Sequence, residues 1–343
     1  MKRRAPDWKK CAAELAIAVP RDRLHPAVVA WAETRSAGER WAVAFSGGVD
    51  SLALLLLLWA HWPQRRSRLV ALHFNHRLRG AESRGDAVFC LRVCAALGIE
   101  LVAGQWEDAP KKASEAAART ARFDFFQQAL RARRMRVLWL GQQQDDIAET
   151  MLMRISRGSG TSGLAAPRPL QEQTAGRIHV RPLLTLKKGG IVAALRSVAA
   201  KWREDSSNAG EDYFRNRLRK MVVPAWCKAS GRDALAGAAL ARELLAEDDA
   251  ALEQWLNELA VEAKDGALEL AKLRGKPRAL LRRALHRWLG AQKGLGELSR
   301  QGFERLLTAS ETGGDTRQSL GRRAFAVIHT QRLSIQKTGR RAD

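Results

Sequence analysis

A chain of 343 residues with 46% hydrophobic side chains is long enough for two domains and apolar enough to build their cores, which excludes a disordered or fibrous protein. Lys and Arg outnumber Asp and Glu by 59 to 36, a formal net charge of +23, and such a field attracts polyanions, nucleic acid first and an anionic membrane surface second. The longest apolar run, Leu52 to Ala60, is about half of the ~20 residues that span a bilayer, and four cysteines make no disulfide framework in a chain of this size, so a cytoplasmic protein with no membrane partner is expected.

Residues 1–23, which include Lys2, Arg3, Arg4, Lys9 and Lys10, read as a basic, partly helical N-terminal extension. From His25 the pattern tightens. Trp41 to Phe45 is a short apolar strand ending at Ser46-Gly47-Gly48, and Leu52 to Trp59 is too long and leucine-rich for a second one. Strand, glycine turn and helix follow in that order. Further strands are expected at 69–74, 99–103 and 137–140, with helices at 83–97, 115–133 and 145–154. This alternation predicts an α/β domain, a parallel sheet with helices on both faces, whose ligands gather beyond the C-terminal strand ends. Residues 158–176 read as a long polar loop, 186–202 as a helix, and 213–223 as a basic helix stopped by Pro224. The Ala/Ser/Gly-rich stretch 229–238 marks a boundary. It gives a catalytic domain over 24–228 and a smaller, mainly helical domain over 229–343. Helices are expected there at 239–261, 277–289 and 299–309, and two short strands in a tail at 319–335.

Ser46-Gly47-Gly48-Val49-Asp50-Ser51 is the sharpest chemical signal. Adjacent glycines let the backbone turn closely around an anion, Ser46 and Ser51 add hydroxyl donors, and the next helix presents unpaired amides. Asp50 would repel phosphate unless a divalent cation stood between them, so a magnesium-bridged nucleotide is expected. The segment lacks the lysine of the common GxxxxGK[ST] loop.

This hexapeptide after a strand resembles the signature of the ATP pyrophosphatase superfamily, whose members adenylate an oxygen and release pyrophosphate. Further segments narrow the resemblance to the tRNA(Ile)-lysidine synthetases. They are Asn75-His76 with Leu78-Arg79, Glu115 with Ala118-Arg119 and Arg122-Phe123, and Asp145-Asp146 with Glu149-Thr150. Arg157 to Gly160 with Gly163-Leu164, Arg181 to Leu184, and Asp205 to Asn208 before Tyr213, Arg215-Asn216 and Arg219 complete the series. It covers about residues 40 to 224.

The resemblance implies ATP-dependent joining of free L-lysine to C2 of the wobble cytidine in tRNA(Ile) with a CAU anticodon, through an adenylated RNA. The loop Ser46, Gly47, Gly48, Val49, Asp50 and Ser51 would hold ATP, helped by Arg119 and Arg122. Asp50 and Asp146 would bind Mg2+. Asp146 and Glu149 would recognise and activate the amine, with Asn75 facing the same crevice. Asp146 and Glu149 are three apart on a helix and share a face, where a plain capping role for first-turn carboxylates competes. Where the family usually has two histidines, this chain has Gln142-Gln143, and glutamine cannot titrate near neutrality. Two rivals stay open: another tRNA-modifying ATP pyrophosphatase, such as a thiolase or one using a different amine, and a tRNA-binding paralogue without catalysis.

Two basic stretches are candidates for RNA. Arg203, Arg215, Asn216 and Arg219 lie before the boundary, with Arg157 upstream. In the second domain residues 272–287 carry seven Lys and Arg, Arg278, Arg282 and Arg283 among them, and no acidic residue. Such a run is usually a solvated face, but a phosphate backbone would relieve its self-repulsion. Cys90 and Cys94, one turn apart among apolar neighbours, read as core thiols. The oligomeric state stays open, a homodimer included.

Overall fold

The computed structural model describes residues 6–77, 81–110, 113–204, 213–263, 265–292, 298–321 and 324–337. Two compact units divide it, 1–246 and 247–343.

The first unit is built on a six-stranded sheet. Its strands are β1 (Trp41–Ala44), β2 (Leu69–Asn75), β3 (Glu100–Gln105), β4 (Val137–Trp139), β5 (Leu170–Gln173) and β6 (Arg177–Val180). Their order is β3-β2-β1-β4-β6-β5, parallel except for β5, which runs antiparallel to β6 at the edge. Alternate residues serve opposite faces. Trp41, Val43, Leu69, Ala71, Val137 and Trp139 enter one core, and Ala42, Val70, Leu72 and Leu138 enter the other. Helices cover both faces, as a parallel sheet requires, and the expected α/β class is the one observed.

On the first face lie α1 (Trp8–Ala18), α2 (Pro26–Glu33), α3 (Val49–His61), α4 (Ala81–Leu97) and α8 (Lys188–Ser197); α5 (Glu115–Ala132) lies on the second. α3 is buried on every side from Leu52 to Trp59. A helix apolar all round must be enclosed, and α1 does the enclosing. Asp7 caps α1 by accepting from the amides of Lys9 and Lys10 at 3.2 Å, and Trp8, Cys11, Ala12 and Leu15 form its buried stripe against α3. The first 23 residues thus differ from the expected extension: from Trp8 onward they belong to the main core. The charges at Lys9 and Lys10 mask a helical apolar period.

Other elements differ at their ends. The expected loop at 158–176 holds α7 (Thr161–Leu164) and the polar edge strand β5, and α8 is shorter than the helix expected at 186–202. Pro224 does not stop the basic segment. α9 (Phe214–Arg217) runs through a π-helical stretch, Leu218–Val222, into α10 (Val223–Ser230), where Pro224 sits in the first turn and its missing N–H costs nothing. The division between units falls at Ala246 and Glu247, inside α11 (Ala234–Glu258), rather than at 228 and 229.

The second unit carries α12 (Arg278–Ala291) and α13 (Arg300–Thr312), with β7 (Leu268–Glu269), β8 (Thr316–Ser319), β9 (Ala324–His329) and β10 (Arg332–Lys337). The strands form an antiparallel sheet in the order β7-β10-β9-β8. Leu280, Leu285, Trp288, Leu306 and Leu333 anchor its core. Among the described residues no helix is long and apolar enough to cross a membrane.

The placement of α1 gives a direct test. Leu15 is 1% exposed, so Leu15→Ala should cost about 2–5 kcal/mol in denaturant unfolding. A change within ~0.5 kcal/mol, the usual range for surface sites, would return residues 8–19 to the status of an extension.

Candidate functional site

The strand order reverses between β1 and β4, the position where open α/β sheets leave a crevice for ligands. β1 leads through Ser46–Ser51 into α3 on one side of it. Gly47 has φ +85°, a left-handed value that a side chain would strain. A Cβ there would also stand 3.0 Å from the Phe89 ring and 3.2 Å from Cys90 Sγ. The loop is held by its own hydroxyls. Ser46 N donates to Ser51 Oγ at 3.2 Å, the two serine Oγ atoms are 3.1 Å apart, and Ser51 Oγ donates to the Gly48 carbonyl at 3.1 Å. Val49 and Asp50 begin α3, where first-turn amides have no partner inside the helix.

Opposite, β4 leads through Gly141 to α6 (Gln144–Ile155). A Cβ on Gly141 would meet the Asp50 backbone C and O at 3.0 Å and Ser51 N at 3.2 Å. Only glycine lets the two segments touch. Gln143 caps α6: its side chain accepts from Asp145 N at 2.7 Å, and Asp146 Oδ2 accepts from Gln143 N at 2.9 Å, a reciprocal capping box. Asp145 is turned away to accept from the Lys188 amide at 3.0 Å. Gln142 accepts from Arg181 Nε. The two glutamines in place of histidines therefore serve as a cap and as an acceptor for a buried guanidinium.

Asp146 and Glu149 do more than cap. Arg215 donates from Nε to Glu149 Oε2 at 2.6 Å and from Nη2 to Asp146 Oδ1 at 2.5 Å. Arg219 donates from Nε to Glu149 Oε1 at 2.6 Å and from Nη2 to Glu149 Oε2 at 3.0 Å. Burial alone would raise the Glu149 pKa, but Arg219 and Arg215 more than offset it and hold the carboxyl below its ordinary range. Asp146 lies above its ordinary range, chiefly through burial, which outweighs Arg215. Two neighbouring carboxyls are thus pushed apart, a pattern that suits one to stay charged and the other to exchange a proton.

Asp50 completes the site. Burial first, then the charges of Asp146 and Asp145, raise its pKa to about 6 against the pull of Lys188 and Arg219. Its Oδ1 is buried without a hydrogen-bond partner. Arg119 and Arg122 approach from α5, both lowered by burial; Arg122 is brought to about 10, Arg119 and Arg215 adding to the effect, and its Nε has no hydrogen-bond partner. Arg119 feels the charges of Asp146 and Arg215, and Arg122 those of Arg119 and Arg215.

The remaining expected residues are spread more widely. Asn75 ends β2, and its Oδ1 accepts from Arg77 N at 2.8 Å. Arg203 stands at the phosphate loop: its amide donates to the Gly47 carbonyl at 2.9 Å and its Nε to Asp86 at 2.6 Å. Asn216 is buried in α9, and Arg157 is exposed just after α6. The segments at 78–79 and 205–208 lie outside the described residues. In the second unit Arg278 pairs with Glu304 and Glu311, Arg282 with Glu304, and Arg283 with Asp249 and Glu253. Arg287 pairs with Glu253 and Glu262. The basic run therefore faces acids from neighbouring elements, which its own sequence does not reveal. Arg181 and Lys188 were not foreseen as neighbours of the site; Arg181 lies in a recurring segment, and Lys188 carries no sequence signal.

A parallel α/β sheet with a glycine loop and a buried acid pair at its switch point defines a nucleotide-binding domain. Residues 24–226 match the model of the PP-loop domain; the chain belongs to the PP-loop family, and membership implies use of ATP. Among curated relatives, a tRNA(Ile)-lysidine synthase of Geobacter sulfurreducens is 35% identical over 283 residues, 78% of this chain and 58% of that protein. Those of Solibacter usitatus and Bacillus subtilis are 42% and 37% identical, over 55% and 63% of this chain and 41% and 46% of theirs. The chain thus spans about half the length of these relatives. Among solved structures, the U34-tRNA thiolase of Methanococcus maripaludis with its [4Fe-4S] cluster shares the fold. It has a TM-score of 0.51 at 18% identity, over 70% of this chain and 78% of that one.

Two outcomes follow from these contacts. A carboxyl raised in the folded state favours folding at low pH, and that contribution fades as pH rises from the unfolded value near 4 to the folded value of about 6. Asp50→Asn should therefore stabilise the chain at pH 7.5 by ~1–3 kcal/mol without divalent ions and leave it unchanged at pH 4. Thermal unfolding at both values checks the sign. In the second unit, Arg283→Ala removes the buried ion pair with Asp249 and should cost about 3–5 kcal/mol; an unchanged denaturation midpoint contradicts that pairing.

Proposed function

We propose that this chain joins L-lysine to the wobble cytidine of tRNA(Ile) bearing a CAU anticodon, at the expense of ATP, and acts in the cytoplasm. The observation that carries the proposal is the contact of Gly141 with the Asp50 backbone, which sets a phosphate loop beside the buried pair Asp146 and Glu149. The names of the relatives supply the substrate.

In the first step the cytidine O2 bonds to the α-phosphorus of ATP, the α–β phosphoanhydride breaks, and pyrophosphate leaves. The Gly47-Gly48 turn and the α3 amides bind the phosphates, with Arg119 and Arg122 adding charge at the rim. Asp50, with its orphaned buried oxygen, fits a magnesium ion, whereas both oxygens of Asp146 already accept hydrogen bonds, from Gln143 N and Arg215. When bound there the ion neutralises phosphate charge.

In the second step the lysine ε-nitrogen bonds to C2, the C2–O2 bond breaks, and AMP departs with that oxygen. The amine must first lose a proton, which is held at a pKa near 10.4 in water. Glu149, kept charged, acts as its counter-ion, and Asp146, raised by burial, accepts the proton. Asn75 and Arg203 brace the strand end and the phosphate loop. RNA is gripped through exposed cations such as Arg157, with the arginines of α9, of the stretch Leu218–Val222 and of α12 contributing as their acid partners allow.

A sulfur-transfer reading has less support. Burial raises the Cys90 thiol and pushes that of Cys94 up to about 12, so neither offers a thiolate at neutral pH.

Nucleoside mass spectrometry of unmodified tRNA(Ile) after incubation with the chain, ATP, magnesium and lysine is the decisive experiment. A mass gain equal to lysine condensation is expected; absence of any adduct and of AMP release sinks the proposal. Glu149→Gln should leave adenylated tRNA forming while lysidine falls by at least about 100-fold. Equal loss of both half-reactions would move Glu149 to the nucleotide shell.

A further inference from the structure

All four carboxylate oxygens at the amine site are already taken. Asp146 Oδ2 accepts from Gln143 N and its Oδ1 from Arg215; Glu149 Oε1 accepts from Arg219 and its Oε2 from both arginines. Glu149 is 1% exposed. An ammonium group therefore cannot approach Glu149 while Arg215 and Arg219 stay where they are.

Both arginines come from one segment. Arg215 lies in α9 and Arg219 in the π-helical stretch Leu218–Val222 that separates α9 from α10. π-helical turns are rare, occur mostly as single-turn insertions in α-helices and are frequent at functional sites. The two guanidinium groups are held by charge: Asp146, Glu149 and Glu115 act on Arg215, and Glu149 and Asp146 on Arg219, against the cost of burial. Arg119 and Arg122 also feel Arg215, and Arg215 opposes Arg219. A phosphate group accepts the same bidentate hydrogen bonds from a guanidinium as a carboxylate does.

We infer that Arg215 and Arg219 close the amine site of this chain and that a phosphate group opens it, by drawing their guanidinium groups off Asp146 and Glu149. The exchange gives the arginines a phosphate in place of the carboxylates, and the arriving ammonium then replaces them at the buried Glu149. The amine then binds after the phosphate-bearing substrate and never before it. The phosphate comes from ATP or from the RNA backbone, and the two sources are separable. The inference rests on the assignment of Asp146 and Glu149 to the amine.

The test uses the full chain with 15N-labelled arginine, the Nε–H signals of Arg215 and Arg219 being assigned with R215Q and R219Q. Spectra are recorded alone, with lysine, with the α,β-methylene analogue of ATP, with unmodified tRNA, and with analogue and tRNA together. Both signals should move with the analogue, the tRNA or the pair, which names the source of the phosphate, and stay in place with lysine alone. Equilibrium dialysis of radiolabelled lysine in the same arms should show retention rising about tenfold when phosphate is present. R219Q should narrow that difference by retaining lysine in its absence. Signals that stay fixed in every arm, or lysine held equally in every arm of the wild type, overturn the gate. Signals that move while lysine is nowhere retained would uphold the phosphate-driven release and remove the amine assignment instead.

Discussion

The contact between Gly141 and the backbone of Asp50 and Ser51 is the constraint on which the site depends. It joins the end of β4 to the start of α3 with no side chain between them. The anion-binding turn and the acid-bearing helix α6 are thereby fixed beside each other. The sheet supplies this by placing β1 and β4 side by side while their following segments diverge. Asp50 then experiences the charges of Asp145 and Asp146 as well as its own burial, and α9 has a carboxylate pair to dock on.

Much of this was legible in the amino-acid order. The glycine loop announces itself because its backbone demands are local. The alternation of short apolar strands with longer helices points to the α/β class because the central strands β1, β2 and β4 are buried on both faces. Other features arise from pairings between distant segments. Nothing near Arg282 or Arg283 is acidic, yet Glu304 and Asp249 reach them from other helices. The inward turn of Arg215 and Arg219 was hidden for the same reason, since a basic stretch looks alike whether it faces solvent or carboxylates. α1 was obscured by composition, its lysines and Glu14 lying on the faces that its apolar stripe leaves exposed.

The glutamines at 142 and 143 illustrate how a substitution is absorbed. Gln143 supplies the cap that begins α6, and Gln142 offers a neutral oxygen to Arg181. Neither changes charge between pH 5 and 8, as an imidazole would. Within that range Asp50, raised to about 6, is the carboxyl of the site that changes charge.

The packing of α1 has a consequence for synthesis. Its apolar stripe needs both α3 and α8, to each of which it packs, and α8 begins about 170 residues after α1 ends. At about 5–20 residues per second, the ribosome takes roughly 10–35 s to cover that distance. During this interval α1 has α3 and α4 to pack against, Trp8 meeting the Phe89 ring, but not α8. Until α8 emerges, the apolar stripe of α1 is only partly covered.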